Sequence, residues 1–275
     1  MVADYVLAGS PEEAARLVAD DPAAIVIGGG TTVMPRAALG ELSGRRAIGL
    51  ARAGLDGVSR NDSLTLGAMT PLRAVAELDE VPALAGAARS IGGRSLRTTA
   101  TVGGNVLMGR PYGDLVPVLL ALDAEIEVAG AQGERRVALA EAIRGERPIS
   151  PGELLTAVVV PAAAGTVSFR RCARLAAGAP PVVSVAARVR REGSQVAEAR
   201  LAIGAVGPRA VRATEAEEAL VGSDGDADSL DATVAVATQA VTPADDAVAS
   251  GWYRARMTEL HVRRALADAL EGESA

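Results

Sequence analysis

The sequence predicts an α+β fold, in which short strands and short helices alternate along the chain. Short apolar runs typical of strands recur between helical patterns. The segments between them lack the long crossovers that a doubly wound parallel sheet requires. Residues 57–68 indicate a β-hairpin, because the turn-forming pair Asn61-Asp62 separates two strand-like runs. These three observations favour α+β over a doubly wound α/β sheet.

The chain begins with a clear helix signal. Residues 10–13, Ser-Pro-Glu-Glu, place Ser at the N-cap, Pro at the first helical position and Glu at the third, which predicts a capping box. The helix is expected to run to about Ala19, where residues 20–22, Asp-Asp-Pro, break it. Residues 24–27 then indicate a short buried strand that leads directly into residues 28–30, which are three glycines.

The remaining elements follow from similar patterns. Strands are expected at residues 46–50, 57–60, 63–68, 125–128, 167–174, 182–189 and 199–206, with further strands in 134–161, of which 154–160 is the strongest. Helices are expected at residues 71–76, 81–91, 215–221, 230–240 and 252–270. Residues 161–165, Pro-Ala-Ala-Ala-Gly, form the best boundary. We therefore expect a first domain at residues 1–164 and a second at residues 165–275.

Composition excludes several classes of protein. All 28 basic residues are arginines, so the chain has no lysine for a P-loop or a protein-kinase site. The net charge of −6 argues against nucleic-acid binding. With one cysteine, Cys172, and one histidine, His261, the chain cannot form a disulfide, a cysteine-ligated iron–sulfur cluster or a multi-histidine metal site by itself. We interpret His261 as a structural or surface histidine and Cys172 as a small buried hydrophobic residue, and we expect no metal.

Signals for export or membrane insertion are missing from the sequence. The N-terminus has no basic-then-apolar segment, and the longest apolar runs are about 8 residues, short of the ~20 that a membrane helix needs. We therefore expect no membrane span and a cytoplasmic location.

Residues 97–105, Arg-Thr-Thr-Ala-Thr-Val-Gly-Gly-Asn, form the most distinctive polar stretch of the chain. Backbone without Cβ lets N–H groups approach a ligand closely, and successive exposed N–H groups form anion-binding concavities. An apolar run from Leu115 and the strand at 125–128 follow, which suits a loop mounted on a rigid scaffold. The same residues also suit an ordinary tight turn. The residues alone leave both interpretations open.

A second glycine-rich loop, residues 28–32, follows the predicted strand at 24–27 and invites comparison with the dinucleotide fingerprint. That fingerprint requires glycine at position 33, where the chain has Val33, and an acidic residue at the end of a second strand, which is missing. Rossmann-type binding is therefore not expected. A plain strand-to-helix turn needs one glycine rather than three.

Four motifs in the chain point to one family. They are the loop Gly28-Gly29-Gly30-Thr31; the loop Thr101-Val102-Gly103-Gly104-Asn105 with Pro111, Asp114 and residues 119–124 after it; residues 199–212; and Ser250-Gly251-Trp252-Tyr253-Arg254, which fits a Ser-x-x-Tyr-Arg signature. Together they resemble the FAD-binding subunit of the molybdenum hydroxylases, which include aerobic carbon monoxide dehydrogenase and xanthine dehydrogenase. The resemblance covers essentially the whole chain. It implies an FAD-binding domain of the vanillyl-alcohol-oxidase (PCMH) type followed by a small α+β C-terminal domain.

The resemblance also implies how FAD is bound. Backbone N–H groups of both loops would hold the pyrophosphate, and Asp114 would bond ribityl or ribose hydroxyls. Arg171 stands where the family has the lysine of an aromatic-x-Lys-x-x-Arg pattern near the isoalloxazine, although residues 167–174 also suit an edge strand with a solvated basic face. The chain departs from the family at Thr32, where Ser or Asp is usual, and at Gly109-Arg110, where Ser, Ala or Asp is usual. The expected FAD-binding residues are Ile27, Gly28, Gly29, Gly30, Thr31, Thr32, Thr101, Gly103, Gly104, Asn105, Asp114 and Arg171.

For function, the resemblance implies a subunit of an oxidoreductase, with no catalytic residue assigned. FAD would pass electrons from the iron–sulfur clusters of a small partner subunit to an external acceptor, while a large molybdopterin subunit oxidises the substrate. Two alternatives stay open: a stand-alone flavoenzyme that acts on a small organic substrate, and a flavin-binding scaffold. Trp252 and Tyr253 lie far from both loops in sequence, and we interpret them as packing residues.

Overall fold

The computed structural model describes residues 3–108, 113–145, 147–175 and 178–272. The chain forms two compact units that interleave along the sequence. The N-terminal unit comprises Met1–Val75, Gly93–Leu107 and Ala124–Pro161, and the C-terminal unit comprises Ala76–Gly92, Met108–Asp123 and Ala162–Ala275. Each unit combines helices and strands, which confirms the predicted α+β class. The division into domains at residue 164 stays a prediction.

The helices and strands are numbered in chain order. The helices are α1 Pro11–Asp20, α2 Val33–Ala38, α3 Leu72–Val75, α4 Pro82–Ser90, α5 Arg94–Thr99, α6 Val102–Val106, α7 Leu115–Ala121, α8 Leu139–Ala142, α9 Thr214–Leu220, α10 Ala227–Gln239 and α11 Gly251–Gly272. The strands are β1 Asp4–Leu7, β2 Ile25–Ile27, β3 Arg46–Gly49, β4 Val58–Arg60, β5 Ser63–Gly67, β6 Glu125–Gly130, β7 Gly133–Ala138, β8 Leu154–Pro161, β9 Thr166–Ala173, β10 Pro181–Glu192, β11 Gln195–Gly204 and β12 Val211–Arg212. Within the described residues, no helix has both the length and the apolar character to cross a membrane.

Two sheets build the N-terminal unit. In the first sheet, β1, β3 and β2 run parallel with β3 in the centre. The second sheet has the order β4-β5-β8-β6-β7, and its neighbouring strands are antiparallel. Strands β4 and β5 are the hairpin that the turn at Asn61-Asp62 predicted, so this prediction is confirmed.

The predicted helix start is also confirmed, and it places α1 on the core. The N–H of Glu13 donates to Ser10 Oγ at 3.1 Å, and the carboxylate of Glu13 accepts the N–H of Gly9 at 2.8 Å. The first bond satisfies a backbone donor that helix formation leaves without a partner, and the second ties Glu13 to the residue before the N-cap, whereas a capping box would use the N–H of Ser10 itself. Ala14 and Val18, on the buried face of α1, then pack into a core cluster with residues of β3 and β8.

A four-stranded antiparallel sheet, with the order β12-β11-β10-β9, organises the C-terminal unit. One face is apolar: residues such as Val185 and Leu201 pack with α9, α10 and α11 in a single core cluster. Because strand residues alternate between faces, the other face of β10 and β11 carries Arg188 and Gly204. Helix α7 packs on this second face, where a Cβ added to Gly204 would lie 2.6 Å from Pro117 Cγ. Glycine is therefore required for the close approach of α7.

Asp123, which follows α7, ties that helix to three strands of the sheet. Its carboxylate accepts hydrogen bonds from Arg188 at 2.6 Å, Arg200 at 2.9 Å and Arg212 at 2.7 Å. The residue has a φ of 52°, a conformation in which Asp is among the better tolerated side chains. Charge-assisted hydrogen bonds from three strands thus stabilise Asp123 in a backbone conformation that few other residue types adopt readily.

Arg254 in α11 explains the arginine of the Ser-x-x-Tyr-Arg signature. It is only 1% exposed. One guanidinium nitrogen donates to the carbonyls of Val182 at 2.6 Å and Ala205 at 2.7 Å, and the other donates to Asp246 at 2.7 Å. Ala205 has a φ of 67°, which is unusual for a residue with a Cβ. The arginine therefore clamps the start of β10 and the turn after β11 to the long helix.

The interpretation of Trp252 as a packing residue is wrong. Its side chain is 78% exposed at the start of α11, whereas Arg254, two residues on, is buried. Tyr253 is 39% exposed. Residues 252 and 254 lie on different faces of the helix, so the signature motif fixes the buried position of the arginine and leaves the tryptophan in solvent.

Replacing Arg254 by Ala would remove the guanidinium donor from the carbonyls of Val182 and Ala205 and the paired charge from Asp246. We expect the free energy of unfolding to fall by about 3 kcal/mol, measured by urea denaturation followed by circular dichroism. The matched control is Arg256→Ala on the same helix, where the side chain is 65% exposed and pairs with Glu259. Its effect should stay under about 0.5 kcal/mol. Equal urea midpoints for the two variants would contradict the clamp.

Candidate functional site

The loop that joins β2 to α2, residues 28–32, offers a run of unused hydrogen-bond donors. Gly30 has a φ of 71°, which lets the chain turn sharply before Met34 N–H donates to the Gly30 carbonyl at 2.8 Å. In the part of the chain that the structure describes, the N–H groups of residues 28–32 have no hydrogen-bond acceptor. Thr31 and Thr32 are exposed. Successive free N–H groups beside hydroxyls form an anion-binding concavity.

The second loop is arranged differently, because its donors are already used within the chain. Thr101 is the N-cap of α6. The N–H groups that follow it bond as follows: Val102 to the Thr70 carbonyl at 2.9 Å, Gly103 to the Ala68 carbonyl at 2.8 Å, Gly104 to Thr101 Oγ1 at 3.1 Å and Asn105 to the Thr101 carbonyl at 3.0 Å. The unused backbone donors of this region therefore belong to the first loop.

The structure brings the first loop into direct contact with the segment that leads into the second loop. A Cβ built on Gly29 would lie 1.6 Å from the carbonyl oxygen of Thr99, and one on Gly28 would lie 3.1 Å from Thr101 Oγ1. Gly29 must therefore lack a side chain so that the backbones can touch. Sequence reasoning missed Thr99 in this role, because its contribution is a main-chain carbonyl that no side-chain pattern reveals.

The two glycines of the second loop serve different purposes. A Cβ on Gly103 would lie 3.0 Å from the Ala68 carbonyl oxygen, so this glycine fits against the chain just after β5. Gly104 is exposed, and a Cβ there would meet only Thr101 Oγ1, at 3.0 Å. Thr101 and Asn105 are buried, at 5% and 7% exposure. Gly104 is therefore the position in this loop where an added side chain would project outward.

Asp114 and Arg171 lie in the C-terminal unit, where they form a buried ion pair. Arg171 Nε donates to Asp114 Oδ2 at 2.8 Å, and the two side chains are 9% and 2% exposed. Ser90 Oγ approaches the same oxygen at 3.4 Å, and Arg171 also donates to the Ala179 carbonyl. Strand β9 is an edge strand of its sheet, as one interpretation expected, but Arg171 is not on a solvated face.

The environment of this pair perturbs the carboxyl group. Burial raises the pKa of Asp114 above its ordinary value, and the neighbouring Arg171 guanidinium opposes that rise. Asp114 Oδ1 and Ser184 Oγ are both buried and neither has a partner in good hydrogen-bond geometry among the described residues, although Ser184 is near enough to oppose the rise in the pKa of Asp114. A buried carboxylate oxygen with nothing to accept is costly unless a ligand or water supplies the donor. Asp114 therefore keeps one acceptor available.

Cys172 and His261 occupy structural positions. Cys172 packs against the apolar core of the C-terminal unit, and its proximity raises the pKa of the Tyr253 phenol. His261 Nδ1 lies 2.9 Å from the Met257 carbonyl, and burial lowers the pKa of its imidazole. Three residues singled out from the sequence, Gly109, Arg110 and Pro111, lie outside the described residues.

Comparison with known proteins shows the family to which the chain is related. Residues 1–163 match the FAD binding domain in molybdopterin dehydrogenase, and residues 168–269 match the CO dehydrogenase flavoprotein C-terminal domain. The 6-hydroxypseudooxynicotine dehydrogenase complex subunit alpha of Paenarthrobacter nicotinovorans is 30% identical, over 97% of this chain and 94% of its own length. The glyceraldehyde dehydrogenase medium chain of Sulfolobus acidocaldarius is 27% identical, over 95% of this chain and 96% of its own length.

A solved structure extends the agreement to the whole fold. A chain of the cyanide-inactivated form of Cu,Mo-CO dehydrogenase superposes with a TM-score of 0.92 at 26% identity, over 98% of both chains. The chain belongs to the family of FAD-binding flavoproteins of the molybdopterin dehydrogenases. More particularly, it is a medium, FAD-binding subunit of the molybdenum hydroxylase class to which CO and xanthine dehydrogenases belong, and FAD is its cofactor. The expected fold, an FAD-binding domain followed by a flavoprotein C-terminal domain, is confirmed.

One pair of substitutions distinguishes the role of the first glycine loop from that of the second. Gly104→Val should leave the fold intact and weaken FAD binding at least about tenfold, because the added side chain projects from the loop toward the ligand. Gly29→Ala should instead disrupt the fold of the N-terminal unit, because no Cβ fits against Thr99. FAD titration by fluorescence quenching and circular dichroism measure the two effects. The control is Gly86→Val in α4, where an added Cβ meets nothing within 4 Å. Wild-type FAD affinity in Gly104→Val would remove the second loop from the site.

Arg171→Met should destabilise the protein in a pH-dependent way. Without the guanidinium the buried Asp114 carboxylate is uncompensated, so its pKa in the folded state rises further. A raised folded-state pKa in an acid means that stability is lost as pH rises above the unfolded value, about 3.9. The free energy of unfolding of the variant should therefore be only slightly below that of wild type near pH 4, and about 3 kcal/mol below it at pH 7. Urea denaturation across this range measures it.

The control for that prediction is the double variant Arg171→Met/Asp114→Asn. It carries no titratable group at this position, so the pH-dependent part of the deficit should disappear. If the single variant shows the same deficit at pH 4 and pH 7, the ion pair does not control the charge of Asp114.

Proposed function

We propose that this chain passes electrons between iron–sulfur clusters of a partner subunit and an external acceptor. FAD, when bound, supplies the redox chemistry, and the protein supplies binding, orientation and electrostatics. The observation that carries the proposal is the first glycine loop, where successive N–H groups have no acceptor in the described chain. Such a donor set suits the pyrophosphate of a dinucleotide.

Each candidate residue has a role in holding the cofactor. Residues 28–32 would bind the pyrophosphate through free N–H groups and the hydroxyls of Thr31 and Thr32, and Ile27, the last residue of β2, would line the start of this loop. Residues 101–105 would position that loop through close packing and present the exposed Gly104 to the ligand. Asp114, with an acceptor oxygen unused, would bond ribityl or ribose hydroxyls. Arg171 would hold the Asp114 carboxylate in place and keep positive charge near the isoalloxazine.

The inventory of acid–base groups supports a relay over direct substrate oxidation. Direct oxidation commonly uses a positioned acid or base to move a substrate proton. The chain has one histidine and no lysine. His261 is bound to the Met257 carbonyl within its own helix, and Cys172 packs against the core. An electron relay needs no such group, because no substrate bond to hydrogen is broken at the flavin.

The proposed partners are an iron–sulfur small subunit and a molybdopterin large subunit. A single cysteine cannot ligate an iron–sulfur cluster, so clusters that exchange electrons with FAD would belong to another chain. The relatives described above are a medium chain and a subunit of a dehydrogenase complex. We also propose that the assembly works in the cytoplasm. A stand-alone FAD-dependent oxidoreductase is the alternative, and it differs in needing no partner to reduce the flavin.

The proposed electron relay predicts the conditions under which the visible absorption of FAD is lost. The purified chain, loaded with FAD and mixed anaerobically with candidate substrates of its gene neighbourhood, should keep its visible flavin absorption. Addition of the iron–sulfur and molybdopterin chains should then bleach the band, because electrons reach FAD only through them. Bleaching by substrate with no partner present would overturn the relay and establish the stand-alone enzyme.

A further inference from the structure

Ser184 of β10 lies on the face of the four-stranded sheet against which α7 packs. In the strand pairing it is opposite Arg171 of β9 on one side and Gly204 of β11 on the other. Residues that are directly opposite each other on neighbouring strands share one face of a sheet, so these three residues form a row. Asp114, the N-cap of α7, meets this row through its ion pair with Arg171. Ser184 therefore lies beside the carboxylate that the proposed function assigns to FAD.

Glycine at position 204 makes room for the Ser184 hydroxyl. A Cβ on Gly204 would lie 2.7 Å from Ser184 Oγ and 2.6 Å from Pro117 Cγ, so no other residue type permits this approach. Pro117 belongs to the first turn of α7. The hydroxyl is thus enclosed between the sheet and the helix, and Ser184 is 1% exposed.

The hydrogen bonds around Asp114 leave one acceptor and one donor unmatched. Arg171 Nε donates to Oδ2 of Asp114 at 2.8 Å. Ser90 Oγ lies 2.7 Å from the Ala87 carbonyl and 3.4 Å from Oδ2 of Asp114, so its single hydrogen goes to the carbonyl. Among the described residues, Oδ1 of Asp114 and Oγ of Ser184 are both buried and have no partner in good hydrogen-bond geometry.

A buried acceptor beside a buried donor, each without a partner, favours a hydrogen bond between the two. Both groups have lost their bonds to water, and one bond between them compensates both losses. Ser184 is near enough to Asp114 to oppose the rise in pKa that burial of the carboxyl group causes. Because an ionised carboxylate oxygen accepts more than one hydrogen bond, Oδ1 can accept from Ser184 and still accept from a ligand.

We propose that Ser184 is a positioning residue for FAD binding, whose hydroxyl donates to Asp114 Oδ1 and fixes the plane of the carboxylate. Arg171 holds Oδ2 from β9, and Ser184 holds Oδ1 from the neighbouring strand β10. A carboxylate that is fixed at both oxygens loses little freedom when a ligand hydroxyl binds to it, which strengthens binding. The proposal rests on the proposed role of Asp114, which is to bond ribityl or ribose hydroxyls. Ser184 acts through Asp114 and does not contact the cofactor.

The protonation of Asp114 reports on this bond, because a hydrogen bond donated to a carboxylate favours the ionised form. Arg171 is the charged group that faces Asp114 from β9, and α4 faces it with the neutral Ser90. The arginines of β10, β11 and β12 that face α7 pair with Asp123 at the other end of that helix. Loss of the Ser184 hydroxyl should therefore raise the pKa of Asp114 above its wild-type value.

Ser184→Ala tests the bond in the chain without FAD. Isotope labelling of aspartate carboxyl carbons gives an NMR resonance for Asp114, which is assigned by its loss in the double variant Arg171→Met/Asp114→Asn. In a pH titration this resonance should report a higher pKa in Ser184→Ala than in wild type. The matched control is Ser168→Ala, which removes a buried hydroxyl of the same sheet that donates to the Ala265 carbonyl of α11. It should leave the pKa of Asp114 unchanged.

FAD titration by fluorescence quenching tests the consequence for the cofactor. Ser184→Ala should raise the dissociation constant for FAD about threefold to tenfold, as expected for the loss of one hydrogen bond. Ser184→Cys keeps the shape of the side chain with a weaker donor, so its affinity should lie between those of wild type and Ser184→Ala. Ser168→Ala should bind FAD as wild type does.

Three results would overturn the proposal. An equal pKa of Asp114 and an equal FAD affinity in Ser184→Ala and wild type would show that the bond does not form. Weaker FAD binding with an unchanged pKa would assign Ser184 to direct contact with the ligand. A raised pKa with wild-type FAD affinity would show that the bond forms without serving the cofactor. In each case the bleaching test decides independently whether the relay stands.

Discussion

The contact between the backbone of Gly29 and the carbonyl of Thr99 is the constraint on which the candidate site depends. No side chain fits between these segments, since a Cβ on Gly29 would lie 1.6 Å from the Thr99 oxygen. Only glycine permits this approach, which joins chain segments about seventy residues apart. Once the loops touch, their backbone donors divide into two groups. Those of the second loop are satisfied by Ala68, Thr70 and Thr101, and those of the first loop are not.

This division gives the two glycine loops distinct physical roles. A short helix with a capped N-terminus and satisfied donors is a rigid support. A loop with unsatisfied N–H groups and exposed hydroxyls is a binding surface, because unpaired donors gain most from an anionic partner. In a chain with a net charge of −6 and no lysine, backbone donors of this kind are a means to hold a pyrophosphate against the overall charge.

In the C-terminal unit, arginine side chains form hydrogen bonds and ion pairs between segments that are distant in sequence. Arg254 joins a helix to two strand ends, and Asp123 collects arginines from β10, β11 and β12. The planar guanidinium suits such work, because it presents several donors in fixed directions and stays charged when buried. Arg171 fits the same pattern with Asp114. The pair differs in leaving one carboxylate oxygen and a neighbouring hydroxyl without partners in good hydrogen-bond geometry among the described residues, which is expected where ligand binding completes the bonding.

Local features of the structure were predictable from the sequence, and long-range ones were not. The cap at Ser10 and the hairpin at Asn61-Asp62 depend on neighbours within a few residues, so their signals lie in the sequence itself. The pairing of Asp114 with Arg171 depends on a separation of 57 residues, and the acceptors of the second loop are main-chain carbonyls with no residue signature. The exposure of Trp252 was not predictable for the same reason, because a position within a helix does not show which face of that helix packs against the rest of the fold.

Hydrogen–deuterium exchange of the loop amides tests the central claim most directly. In the chain without FAD, amides of residues 102–105 should exchange slowly because they are hydrogen-bonded, and those of residues 28–32 should exchange fast. Addition of FAD should protect residues 28–32 strongly and change residues 102–105 little. If FAD protects residues 102–105 while residues 28–32 still exchange fast, the first loop does not hold the pyrophosphate, and the division of roles between the two loops is wrong.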